Sequence, residues 1–388
     1  MAIDKNHFEI VKLLYNNGAD ISSIKNEGVF HSKALKLGYK YNNEGFENSL
    51  RNGDYDAISF FLREGFDSNL KFDLHDYPIT IIAEHCDTKL LKLLLKNGAD
   101  INSLGFYGNT ALSTVVQKNN TQIVNFLIEK GANVNLGFGL PLTLAVDNKN
   151  TEIAEILLKH GADPNKGWED YPINDATGNE DLSMIKLLLK YGADLNVSSY
   201  SDYKGSGALN TAAATGNLNL VKFLINEGAE LDMMSCLSLS LAAKSGALDI
   251  VKYLISLDAQ VNNNTVFTPL YAAAYSGELD IIQVLISCGA DINKPSGDDL
   301  KTTPLCIASR FGHLNVVKYL IEQGAKVNLP SLNSPLIFAT EENQIEVVEY
   351  LLDAGADITK KNIQGKTAID IATKKGFNEI MLLIKSHN

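Results

Sequence analysis

The nearest thing to a reactive cluster in this chain is the tetrapeptide Glu84–His85–Cys86–Asp87. A thiol beside an imidazole can supply a nucleophile and its base, or half of a metal site. Two features argue against both. Consecutive residues on a helix point in different directions, and Cys86 stands where a helix-closing Gly is expected. No stretch reads as a phosphate-binding Gly-rich loop, a paired-Cys zinc site, an H-E-x-x-H helix or a calcium loop. The chain is therefore expected to have no catalytic residues, no metal and no cofactor, and not to be an enzyme.

The totals point the same way. The 388 residues are 45% hydrophobic and 21% charged, with a formal net charge of -12, a balance typical of soluble folded proteins and not of disordered ones. No apolar run is long enough to cross a bilayer, and "MAIDKNHFEIVK" lacks the apolar core of a signal peptide. A cytoplasmic location without membrane association is the expectation. Four scattered cysteines make no disulfide framework. The acidic balance disfavours nucleic acid, which needs clustered Lys and Arg, and suits a basic protein partner better. Only Arg51, Arg63 and Arg310 are arginines. That usage, with abundant Asn and Ile, reflects AT-rich codons and fits an intracellular bacterium, a large DNA virus or a protist.

An internal repeat sets the architecture. Perfect G-A-D tripeptides begin at Gly18, Gly98, Gly161, Gly192, Gly289 and Gly355, and variants begin at Gly65, Gly131, Gly228, Asp258 and Gly324. From Gly65 onward the steps run from 30 to 36 residues, averaging about 32. Each unit reads as a short helix ending in Gly, as in "TPLYAAAYSG", followed by a second such as "LDIIQVLISCGAD". Pro269 suits the first helical turn, Gly277 and Gly289 suit a left-handed closing position, and Ile281, Ile282, Leu285 and Ile286 form one apolar stripe. Neither helix is long enough to be stable alone, so the units must stack.

In length, glycine placement and the recurring T-P-L and G-A-D marks, the chain resembles the ankyrin-repeat family over nearly its whole length. The resemblance implies an all-α repeat solenoid of about twelve helix-turn-helix units joined by β-hairpin-like loops, curved and on the order of 100 Å long. The reading divides the chain into an incomplete unit at 1–20, a divergent region with an insertion at 21–66, regular repeats at 67–365 and a capping unit at 366–388. The insertion lies within 24–45. The family's His after T-P-L is replaced by Tyr271 and Cys306, which implies softer coupling between hairpins. His7 and His313 occupy the family's G-H position and read as structural.

The resemblance also implies that the loops project as fingers beside a concave face lined by first helices, and that partners bind there. Against that background the stretch "NGADINSLGFYGNTAL" is odd, because Phe106 and Tyr107 sit at a tip where Gly, Asn, Asp and Ser are the usual turn formers. Aligned on the Thr of T-P-L, later fingers carry Phe138, then Trp168 (the sole tryptophan), Tyr203, and Met233 with Met234. Fingers nearer the C-terminus carry Asn264 and Thr265, Asp299 and Leu300, or Pro330 and Ser331 instead. Two readings remain: the bulky groups bind a partner, or they pack against one another to stiffen the array. On the concave face, Tyr275, Arg310 and Phe311 form a second anchor patch.

By resemblance, Asn residues just after G-A-D-I or G-A-D-V are targets of asparaginyl hydroxylase. Asn102, Asn135, Asn196, Asn293 and Asn328 match in outline and Asn102 matches best, although an Asn here also satisfies turn backbone groups. The leading function is a monomeric, non-enzymatic scaffold that binds a protein through aromatic hairpin tips and the concave face. The alternative is the targeting module of a larger enzyme or multidomain effector acting on host proteins, in which case the host cytoplasm is the location. Catalysis within the irregular N-terminal region, with Glu84–Asp87 as one version of it, is a weaker third.

Overall fold

Short helices of seven to nine residues follow one another along the chain, as a repeat of capped hairpins requires. The computed structural model describes residues 29–72, 76–137, 140–167, 171–197, 207–231, 237–262, 267–297, 301–329 and 334–387, and the side chains of all of these except 29–32 and 107. Within them lie 23 α-helices and no strand. One helix, Val29–Lys36, precedes eleven helix pairs that run from Asn43–Arg51 with Tyr55–Arg63 to Ala368–Lys375 with Asn378–Ser386. The fold is an all-α repeat solenoid. The incomplete unit at 1–20 lies outside the described residues.

Local chemistry sets the starts of several first helices. First helices open on Pro78, Pro141, Pro269, Pro304 and Pro335, which lose no helical hydrogen bond at that position. Thr268, Thr303 and Ser334 cap them by accepting the N–H three residues on, at 3.1 to 3.2 Å. Second helices bury one stripe, for example Leu90, Leu91 and Leu94, or Ile281, Ile282 and Leu285. Each such side chain contributes about 1.5–3 kcal/mol on burial. First helices pack on first helices and second on second.

The chain divides into two compact units, Met1–Ala176 with Asp181–Asp194, and Thr177–Glu180 with Leu195–Asn388. In the first, an aromatic cluster fills the core of the region that the sequence marks as divergent. Phe61 meets Phe66 at 4.8 Å and Phe46 at 5.6 Å, while Tyr41 stacks on Phe61 at 6.1 Å. Burial, reinforced by Glu64, pushes the Tyr41 phenol above its ordinary range.

In both units an asparagine ladder ties successive repeats together at several of the described boundaries. Asn135 donates to the Gly161 carbonyl at 2.8 Å and accepts from the Asp163 N–H at 2.8 Å. Asn69, Asn102 and Asn165 repeat this in the first unit, and Asn196, Asn262 and Asn328 in the second. A primary amide suits the task because it donates and accepts at once.

Candidate partner-binding surface

In the first unit the finger that carries Phe106 closes through Gly105 N–H to the Asn109 carbonyl, at 2.8 Å. Gly105 is there for closeness: a Cβ would lie 2.9 Å from the Thr80 hydroxyl. Phe106 forms part of a single 3-10 turn, Phe106–Gly108, and is 45% exposed. It borders a cavity of about 440 Å³ whose lining includes Arg51, Asp76, Thr80, Glu84 and His85.

The charged side chains of that cavity are already paired. Arg51 pairs with Glu47 at 2.8 Å and Asp76 at 3.2 Å, and Asp76 accepts the Phe106 N–H at 3.4 Å. Lys118 pairs with Glu84 at 2.8 Å, and that hydrogen bond raises the lysine above its ordinary range. Exposed pairs of this kind contribute about 0–1 kcal/mol each. Leu104, on the same finger, is also exposed.

The tetrapeptide Glu84–Asp87 is used structurally. His85 Nε2 lies 3.0 Å from the Leu50 carbonyl, which can only accept, so this nitrogen carries the proton. Cys86 closes its helix in the left-handed region at φ 52, with Sγ turned to the Ala83 carbonyl. Among the described residues no group of three or more His, Cys, Asp or Glu side chains is placed to hold a metal.

In the second unit Tyr275 and Phe311 are brought together, whereas the Arg310 side chain turns to the following repeat. The rings of Tyr275 and Phe311 meet at 4.5 Å and are 38% and 41% exposed. The Lys244 ammonium lies 5.3 Å over the Tyr275 ring. Arg310 lies 5.6 Å over the Phe338 ring and pairs with Glu342 at 3.3 Å. Four hydrogen bonds fix the register of these helix ends. The Lys244 carbonyl accepts from the Ser276 hydroxyl (2.7 Å), that of Tyr275 from His313 Nε2 (3.0 Å), that of Arg310 from Gln344 (3.3 Å), and that of Glu341 from Lys375 (2.6 Å). His313 and Gln344 stand at the starts of second helices but make no local cap; they reach back to the preceding repeat. The sequence carries a signal for this, since Asp or Asn caps the second helices from Asp54 to Asn217 and gives way to other types after that.

Phe138, Trp168, Tyr203, Met233 and Met234 lie outside the described residues, as does the side chain of Tyr107. Asn102 is placed in the asparagine ladder, with Oδ1 accepting from the Asn133 N–H at 2.8 Å.

A second kind of inter-repeat contact escaped the sequence reading. On second helices Lys92 lies over Phe126, Lys222 over Tyr253 and Lys318 over Tyr350, at 5.3 to 5.6 Å. Each lysine covers the aromatic of the following repeat.

The family model for ankyrin repeats (3 copies) matches residues 48–138, 142–235, 209–296, 239–331 and 294–362. The chain therefore belongs to the ankyrin-repeat family, whose repeat is a protein–protein interaction fold and generally not an enzyme. Over 84 residues it is 34% identical to "Putative ankyrin repeat protein FPV031" of Fowlpox virus (strain NVSL), covering 21% of this chain and 25% of that protein. Over 90 residues it is 40% identical to "BRCA1-associated RING domain protein 1" of Caenorhabditis elegans, covering 23% of this chain and 13% of that protein. The matched stretches thus span a quarter or less of either relative. Among the described residues no helix is long and apolar enough to cross a membrane.

Proposed function

We propose that the chain is a non-enzymatic scaffold that holds a partner protein through its aromatic finger tips and the ends of its first helices. The observation that carries this reading is the exposure of Phe106 beside a cavity whose charges are already paired. A folded chain gains nothing from large wet rings there, whereas covering each on a partner contributes about 1.5–3 kcal/mol. Trp168, Tyr203, Met233 and Met234 occupy equivalent finger positions in the sequence. The Tyr275, Arg310 and Phe311 group is a second anchor. Asn102 is assigned to the ladder, with its amide as a structural bridge and not primarily a modification site.

The test replaces Trp168, Tyr203 and Met234 together with Ala. Capture of protein from host lysate is expected to be lost while helical circular dichroism is kept; retained capture would remove the finger tips from the site. The second reading is a targeting module of a larger enzyme or multidomain effector acting on host proteins. A catalytic domain in the same reading frame would establish that reading.

A further inference from the structure

The anchor patch of the second unit points to a more specific partner. We infer that the helix ends from Lys244 to Lys374 bind an extended acidic segment of a partner protein that presents one bulky apolar side chain to Tyr275 and Phe311. This inference rests on the scaffold reading and names the chemistry of one of its sites.

Residues 195–388 carry more acids than bases, so a general preference for basic partners would be expected of them. The row of first-helix ends departs from that balance. The backbone carbonyls bonded from repeat to repeat align it, and it presents Lys244, Arg310, Lys374 and Lys375 against Glu341 and Glu342. Glu342 is taken by Arg310. Among the described residues no carboxylate lies within 4.0 Å of the Lys244 or Lys374 ammonium. The surplus cations therefore stand on either side of the aromatic step, and an acidic chain laid along the row neutralises both.

Spacing then shapes the ligand. Neighbouring helices pack about 8–10 Å apart, and an extended chain rises about 3.3 Å per residue. Lys244 is one repeat before Tyr275, and Lys374 is two repeats beyond Phe311. The Lys244 ammonium lies 5.3 Å from the Tyr275 ring, so an apolar side chain seated on the step needs a carboxylate about two residues to that side and about six to the other.

The test uses the whole chain and a fluorescent Gly/Ser peptide with a central Phe and Asp residues about two and about six positions to each side, so that direction does not matter. Saturable anisotropy is expected below about 100 μM, weakening at least tenfold with Lys244→Glu plus Lys374→Glu, and likewise with Tyr275→Ala plus Phe311→Ala. Peptides with Lys for Asp, or Ala for Phe, are expected not to bind. Equal binding of the Lys peptide, or no binding of the Asp peptide, would overturn the inference. Circular dichroism of each variant checks that the fold persists. If lysate capture is lost in the Trp168, Tyr203 and Met234 variant but the designed peptide fails, the scaffold reading stands and this inference falls.

Discussion

Tyr275 and Phe311 belong to successive repeats, yet their rings meet at 4.5 Å and the Tyr275 carbonyl receives His313 Nε2 at 3.0 Å. One tyrosine thus joins two repeats through both its ring and its backbone while leaving part of the ring in water.

That pairing has a measurable strength. A double-mutant cycle of Tyr275→Ala and Phe311→Ala in urea unfolding is expected to give a coupling of about 0.5–1.5 kcal/mol. Additive single effects would mean that the rings touch without stabilising each other.

The asparagine ladder makes a sharper prediction. Asn135→Ala and Asn328→Ala each remove one donor and one acceptor that bridge repeats. Each is expected to lower the unfolding free energy by about 1–3 kcal/mol. Exposed asparagines without such bonds should change stability by less than about 0.5 kcal/mol, and an equally small change at Asn135 would remove the ladder from the account.

Several helix ends use a left-handed residue that is not Gly. Lys149 stands at φ 54 and Asp258 at φ 63, where a side chain costs roughly 1–2 kcal/mol. Lys149→Gly and Asp258→Gly are each expected to raise the thermal midpoint, by a net gain of up to about 1 kcal/mol after glycine's own entropy cost. A fall in midpoint would show that the lysine or aspartate makes a compensating contact.

The C-terminal helix has a pH-sensitive fastening. His387 Nδ1 faces the Leu383 carbonyl at 2.9 Å and Nε2 faces Asp353 at 3.2 Å, so both nitrogens meet acceptors. These bonds, with Glu349 nearby, raise the imidazole above its ordinary 6.5. A raised folded value stabilises fully below the unfolded one, and the contribution is lost as pH rises through the folded one. Proton NMR is therefore expected to give a His387 midpoint above 6.5 that falls in Asp353→Asn. An unchanged midpoint in that variant would separate the two residues.

Much of this fold is legible in the sequence because its signals are local and repeated. Thr268–Pro269, Gly277 and the Ile281–Ile286 stripe announce one helix pair, and the G-A-D marks announce the next. The aromatic core around Phe61 is hidden because Tyr41, Phe46 and Phe66 come from separate segments with no common period. The Tyr275–Phe311 step is legible once the repeats are aligned, since both residues end first helices. The roles of His313 and Gln344 are not, because their partners are backbone carbonyls that sequence does not distinguish. The same limit applies to the lysines that cover the aromatics of the following repeat.

The central claim is that a partner lies on the finger tips and first-helix ends and leaves the outer second helices bare. Photo-crosslinking in the cells that make the chain, with a photoreactive residue at Phe106, Tyr275 or, as the outer control, Lys252, measures this directly. The account predicts that Phe106 and Tyr275 label a common protein while Lys252 does not; labelling from Lys252 alone, or equally from all three, would contradict it.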